Sequence, residues 1–240
     1  MADGRFLNDK SLNAVPVPFP ESVIFDLDGT LVDTSPDLTA ALNAVLMREG
    51  RPIVPEDDVR HMVGRGARVL IERAMAGSGA PVLPDDAAAL VQHFLDHYDA
   101  NIAVHSKPFA SAEIVARRLA ARGHRLGVCT NKPEALSLKL LDALKLRDLF
   151  PAILGADSRP YRKPDPRHLL DTIAAAGGRR ESAVLVGDSE TDVLTARAAN
   201  VPIIIVSFGY TETPARELGA DIVIDHFDAL EQALAALGRA

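Results

Sequence analysis

Residues 22–38, SVIFDLDGTLVDTSPDL, decide the fold. A short run rich in Val, Ile and Phe has the texture of a strand buried on both faces, and it stops in Asp26, Leu27 and Asp28 before a Gly-Thr turn. Two carboxylates at the end of a buried strand put negative charge where desolvation costs most. Such an arrangement implies that something at this position uses the charge.

Three further runs share that texture: Arg125–Thr130, Ser182–Gly187 and Val201–Val206, each bounded by Gly, Pro, Asn or Asp. Helical patterns separate them, including SAEIVARRLAARG, PEALSLKLLDALK, PDPRHLLDTIAAAGG and SETDVLTARAAN, with Gly123 and Gly177 placed to end two of the helices. This β-α-β alternation predicts an α/β protein with a doubly wound, parallel-sheet (Rossmann-like) core. The segment from about Pro36 to Val104 breaks the rhythm. It has no strand pattern and reads as several helices, with Ser35 as an N-cap before Pro36. The expected organisation is a leader over 1–21, a core formed by 22–34 and 106–240, and a helical cap over 35–105 inserted after the first strand.

Length and composition set bounds. The 240 residues suffice for a core domain with a smaller insert, and 48% hydrophobic content supports a sizeable buried core. A formal net charge of -7 argues against nucleic acid or an anionic membrane as partner, though not against a small anion, because local site charge can oppose the net. The leader has no continuous apolar region of the signal-peptide kind, and no apolar run is long enough to span a bilayer. The single cysteine, Cys129, excludes an internal disulfide. A cytoplasmic enzyme, monomeric or homodimeric, is the expectation.

In an open parallel sheet, ligands sit beyond the carboxyl ends of the strands. The polar clusters DLDGT, TN and DSETD end three of the expected strands and would meet at one edge, joined by Lys163 from RKPDP at 162–166. The inventory is Asp26, Asp28, Asp188 and Asp192 with Thr130, Asn131 and Lys163. Carboxylates so crowded need a cation, and oxygen-only ligands select a hard one such as Mg2+. Lys163, Thr130, Asn131 and the backbone N–H groups of the Gly29 turn supply donors for an anion's oxygens. An acid cluster, a metal and phosphate donors together describe phosphoryl chemistry.

DLDGTLVDT, CTN, RKPDP and GDSETD, in this order, resemble the four motifs of the haloacid dehalogenase superfamily of phosphohydrolases. The resemblance implies Asp26 as nucleophile, forming an aspartyl-phosphate, and Asp28 as general acid and then base. It implies metal ligation by Asp26, the backbone carbonyl of Asp28, and Asp188. Asp192 is either a direct ligand or a residue that orients Lys163 or a metal-bound water. Thr130 and Asn131 would hold phosphoryl oxygens, and Lys163 would neutralise charge between nucleophile and phosphate. Members that cleave carbon–halogen bonds lack the second aspartate, so Asp28 disfavours dehalogenation.

The insert resembles the family's helical cap. LVDTSPDL, VGRGARVLIERA and SFGYTETPARELGADIVI are most similar to phosphoglycolate phosphatases, which implies a small phosphorylated organic acid as substrate. A cationic cap residue would then meet the substrate carboxylate: Arg65, between two glycines, with Arg68 second. The alternatives are a phosphatase for a sugar phosphate or pyrophosphate, a phosphomutase similar to β-phosphoglucomutase, and a non-catalytic module that binds a phosphate metabolite. GRGAR at 64–68 has no preceding strand and no third glycine, which excludes a dinucleotide loop. His93 and His97 read as a solvent-facing pair, Cys129 as a small buried hydrophobe, and Asp33 as a residue that steers the chain into the insert.

Overall fold

The computed structural model describes residues 19–79 and 84–238. Most of the expected leader therefore lies outside the described residues. Among the described residues six parallel strands form one sheet: β1 (Ser22–Phe25), β4 (Arg125–Cys129), β5 (Ala152–Leu154), β6 (Ala183–Gly187), β7 (Ile203–Val206) and β8 (Ile222–Ile224). Their spatial order is β5-β4-β1-β6-β7-β8. The four strands expected from the sequence are the four central ones. They read as continuous apolar runs because both faces are covered: Val23 and Phe25 enter one hydrophobic cluster, while Ile24 between them enters the other.

Helices α7 (Pro166–Ala175) and α8 (Glu190–Ala199) cover one face through Leu169, Ile173, Val193 and Ala196. Helices α5 (Ala112–Ala121), α6 (Glu134–Ala143) and α9 (Leu230–Leu237) contribute Val115, Leu119, Leu140 and Leu230 to the cluster on the other. The doubly wound α/β architecture is thus observed. Gly123 and Gly177 follow α5 and α7 with φ of 87° and 78°, the left-handed conformation that ends a helix at little cost to glycine.

Between Asp33 and Lys107 the described residues form four helices: α1 (Ser35–Arg48), α2 (Glu56–Arg60), α3 (Ala67–Gly77) and α4 (Pro84–Ala100). Helix α1 packs on α2 and α4, and α3 packs on α4. Two short strands, β2 (Val32–Asp33) and β3 (Lys107–Pro108), pair antiparallel where the chain leaves and re-enters the sheet domain. Buried Asp37 closes the same junction, because its carboxylate accepts from the backbone N–H groups of His105 and Ser106 and from Ser106 Oγ.

The N-cap of α1 is Thr34, one residue before the expected Ser35, and its side chain does not cap the helix. The Thr34 hydroxyl is engaged elsewhere, donating to Asp28 Oδ1 at 2.8 Å. Asp33 steers the chain as expected: Oδ1 accepts from Ser35 Oγ, and Oδ2 accepts from Arg60 on α2.

Candidate active site

Register builds the site. Phe25 pairs with Val128 on one side and Val186 on the other, and the Asp26 N–H continues the ladder by donating to Val186 O at 2.9 Å. The three central strands run out just beyond those pairs, with Asp26 one residue on and Thr130 and Asp188 two residues on, which brings all three to one edge. All three are buried, as are Asn131, Lys163 and Asp192.

Asp26 Oδ1 accepts from the Leu27 N–H at 2.7 Å and from Lys163 Nζ at 2.9 Å. Among the described residues its other oxygen makes no hydrogen bond. Burial pushes the Asp26 carboxyl up to about 6 against the pull of Lys163, and Asp192 adds repulsion. Asp188 accepts from Thr30 Oγ1 at 2.8 Å and from the Tyr210 N–H at 2.6 Å. Even so, burial and the nearby Asp192 and Asp26 hold its carboxyl well above the usual range.

Asp192 is the most occupied of the group. Its Oδ1 accepts from Lys163 Nζ at 2.7 Å, and its Oδ2 accepts from Ser189 Oγ and from the N–H groups of Asp188 and Ser189. These bonds form a capping box at the start of α8, so Asp192 both begins its helix and holds the lysine. Lys163 is the hub: burial opposes its charge, but Asp192 and Asp26 overcome this and hold it well above the ordinary lysine range.

Asp26, Asp188 and Asp192 can each present an oxygen within 4.8 Å of the other two. Three buried carboxylates share one adjacent lysine. Both Asp26 and Asp188 are pushed toward protonation, so a hard, oxygen-preferring divalent cation such as Mg2+ fits the donor set. The Gly29 turn is built around the same place, but not as the expected anion donor, because the Gly29 N–H donates to Val32 O at 3.0 Å and the Thr30 N–H to Leu27 O at 3.3 Å. The φ of 83° at Gly29 is left-handed, and a Cβ there would collide with Asp188 Oδ2 and the Tyr210 ring.

Asn131 is oriented differently from the expectation. Its side-chain amide donates to Lys163 O at 3.1 Å and to Gly64 O at 3.2 Å, the latter reaching the loop before α3. Thr130 Oγ1 accepts from the Lys132 N–H at 3.2 Å, which leaves its proton for a ligand. Cys129, also buried, behaves as the small hydrophobe expected, with burial pushing its thiol up to about 12.

The sequence reading missed Lys132 and Tyr98. Lys132 Nζ donates to both oxygens of Asp28, at 2.9 and 3.1 Å, and lies 4.2 Å from the ring centre of Tyr98 on α4. Its side chain is 4% exposed, so this is a buried ion pair between the expected acid and an unexpected base. Burial works against the charge, but Asp28 raises Lys132 above the ordinary lysine value. The available signal was the composition NKP directly after the strand, which reads equally well as a helix start.

Arg65 is not brought to this cavity. Its half-exposed guanidinium pairs with Glu190 on α8 at 3.1 Å, and Arg68 pairs with Glu72 on its own helix at 2.7 Å. The cavity over Asp26 and Asp28 is instead lined on the helical side by Val63, Gly64, Ala67 and Leu70. His93 and His97 are half-buried rather than solvent-facing, and His93 Nε2 meets Arg48 Nη1 at 2.8 Å.

The haloacid dehalogenase-like hydrolase family model matches residues 23–206. A phosphoglycolate phosphatase of Caulobacter vibrioides is 53% identical over 206 residues, covering 86% of this chain and 87% of that protein. One from Mesorhizobium japonicum is 46% identical, covering 89% of this chain and 94% of its own length. The crystal structure of a predicted phosphoglycolate phosphatase from Haemophilus somnus superposes with a TM-score of 0.83 at 28% identity, covering 89% of this chain and 97% of that one. Among the described residues no helix is long and apolar enough to cross a membrane. Motif order, sheet topology and relatives agree: the chain belongs to the haloacid dehalogenase-like hydrolase family.

Proposed function

We propose that this protein is a Mg2+-dependent phosphatase that hydrolyses 2-phosphoglycolate to glycolate and phosphate through a phosphoryl-Asp26 intermediate. The observation that carries the reading is the Asp26 carboxylate, fixed through one oxygen by Leu27 and Lys163, with the other oxygen facing a cavity that also holds Asp28. The names of the relatives at 53% and 46% identity support the substrate.

The free oxygen of Asp26 attacks phosphorus and the ester P–O bond breaks. Asp28 gives a proton to the departing glycolate oxygen. Water then attacks the phosphoryl group, Asp28 takes back a proton, and the bond from phosphorus to Asp26 breaks to release phosphate. Thr130 Oγ–H, the Asn131 backbone N–H and Lys163 are the donors toward the phosphoryl oxygens; the Asn131 amide, committed to Gly64 and Lys163, is not among them. Asp26, Asp188 and the Asp28 carbonyl would hold the cation, and Asp192 acts through Lys163, because both of its oxygens are already engaged. When bound, the cation supplies charge neutralisation for the phosphoryl oxygens.

The test is phosphate release with Mg2+ from 2-phosphoglycolate, sugar phosphates, pyrophosphate and p-nitrophenyl phosphate. We expect phosphoglycolate to lead kcat/KM by at least an order of magnitude. A flat profile, or another ester in the lead, overturns the substrate assignment. Interconversion of glucose phosphates without net phosphate release overturns the hydrolase assignment.

A further inference from the structure

If the substrate is a phosphorylated carboxylic acid, as proposed above, its carboxylate needs a partner. Among the described residues lining the cavity over Asp26 and Asp28, Lys132 carries the one cationic side chain. Four other cations nearby are already paired. Lys163 is held between Asp26 and Asp192, Arg60 pairs with Asp33 and Glu56, Arg65 with Glu190, and Arg73 with Glu212.

We infer that Lys132 binds the substrate carboxylate and so sets the enzyme's preference for an acidic leaving group. This rests on the phosphoglycolate reading and adds to it the residue that reads the acid. Three observations carry it. First, Lys132 Nζ lies within hydrogen-bond distance of both oxygens of Asp28, the group that must reach the ester oxygen. In phosphoglycolate the carboxyl carbon is separated from that oxygen by a single methylene, so a group that touches Asp28 is placed for the acid as well.

Second, the position already holds a carboxylate. Asp28 occupies it in a two-oxygen contact, which shows that the site's shape and charge accommodate such a group. A substrate carboxylate that takes over Lys132 also leaves Asp28 free to turn toward the leaving oxygen. Recognition of the acid and delivery of the proton are thus coupled through one ammonium.

Third, the surroundings strengthen an ion pair there. The Tyr98 ring lies against the ammonium, and Val63, Ala67 and Leu70 wall the same cavity with apolar surface. Low local polarity raises the worth of a charge pair and the cost of leaving the ammonium without one. A substrate with no anion beyond its phosphate offers nothing to replace Asp28.

The experiment is steady-state kinetics with Mg2+ on 2-phosphoglycolate and its uncharged isostere 2-phosphoglycolamide, for the wild type, Lys132→Gln, Lys132→Arg and Arg65→Ala. Lys132→Gln keeps a donor for Asp28 but removes the charge that holds it, so both substrates should lose some turnover. The loss in kcat/KM should be about 10- to 100-fold larger for phosphoglycolate, the range expected for one charge-assisted hydrogen bond. Lys132→Arg should recover part of the preference, and Arg65→Ala should leave it within about twofold, as expected of an exposed pair.

Equal losses on the two substrates in Lys132→Gln would reduce Lys132 to a positioning residue for Asp28 and overturn the inference. Loss of preference in Arg65→Ala instead would transfer the role to the cap arginine. A wild type that turns over phosphoglycolate but treats the amide alike overturns the inference without any variant, whether or not the Lys132 variants fold. A wild type inactive on phosphoglycolate but active on another ester overturns the substrate reading beneath it.

Discussion

Lys163 and Asp192 face each other at 2.7 Å with side chains 1% and 0% exposed, and the same lysine reaches Asp26 at 2.9 Å. The nucleophile's orientation therefore depends on a residue at the start of α8 that need not touch substrate. Asp192→Asn removes the charge and keeps the shape. Breaking one side of a buried pair costs roughly 3–5 kcal/mol, although the retained carboxamide and the Asp26 partner place the expected loss near the lower end. Urea unfolding should show it, and kcat should fall with little change in KM. Unchanged stability and kcat would mean that Lys163 is held by Asp26 alone.

Asp26→Asn should abolish turnover, by about 10⁴-fold or more, because a carboxamide cannot form the phosphoryl bond. The Leu27 N–H and Lys163 can still meet its oxygen, and at Asp26, which lacks the capping-box bonds of Asp192, burial outweighs the pull of Lys163, so loss of this charge relieves more than the lost pair costs. The circular dichroism spectrum and thermal midpoint without Mg2+ should therefore match or exceed the wild type. Substantial activity in a preparation free of wild type would remove Asp26 from the nucleophile's place.

The pH dependence of stability should be opposite to the usual carboxylate case. Asp26 sits at about 6 in the fold against an ordinary 3.8, and Asp188 is shifted in the same direction. The folded state therefore binds protons more tightly than the unfolded chain, and stability falls as pH rises from about 4 through about 6. With divalent cations removed by EDTA, the protein should be more stable at pH 5 than at pH 7.5, by on the order of 1–3 kcal/mol. Added Mg2+ should stabilise more at pH 7.5, because the ligands must be deprotonated to bind it. Equal gains at both pH values would place the cation elsewhere.

The central strands and their polar ends were legible because continuous apolar runs broken by Asp, Thr or Asn occur at only a few places, and register carries them to one edge. β5 and β8 were not legible. Each has three residues at the periphery of the sheet, too few for any periodicity. Lys132 escaped for a different reason: its partner Asp28 is 104 residues away, and no local spacing encodes that pairing. Arg65 is the converse. The glycines around it marked a loop at the site, but its direction was decided by Glu190, 125 residues later. The cap position is Thr34 rather than Ser35, and the Thr34 hydroxyl does not cap the helix because it is bonded to Asp28, six residues earlier.

Gly29→Ala tests whether the first turn shapes the metal site or merely connects β1 to the insert. Two costs coincide at Gly29. The left-handed φ of 83° strains any residue with a Cβ, and the added carbon would enter the space of Asp188 Oδ2 and the Tyr210 ring. The strain alone costs on the order of 1–3 kcal/mol, measurable as a lower urea midpoint. The collision adds an effect that a mere connector would not show. Asp188 can yield only by loosening its bonds from Thr30 and the Tyr210 N–H, which moves a carboxylate out of the buried cluster. The Mg2+ concentration for half-maximal activity should rise by about tenfold or more, against a smaller change in KM for the phosphate ester. A variant that loses stability while keeping the wild-type Mg2+ requirement would confine Gly29 to the chain's path and leave Asp188 independent of it.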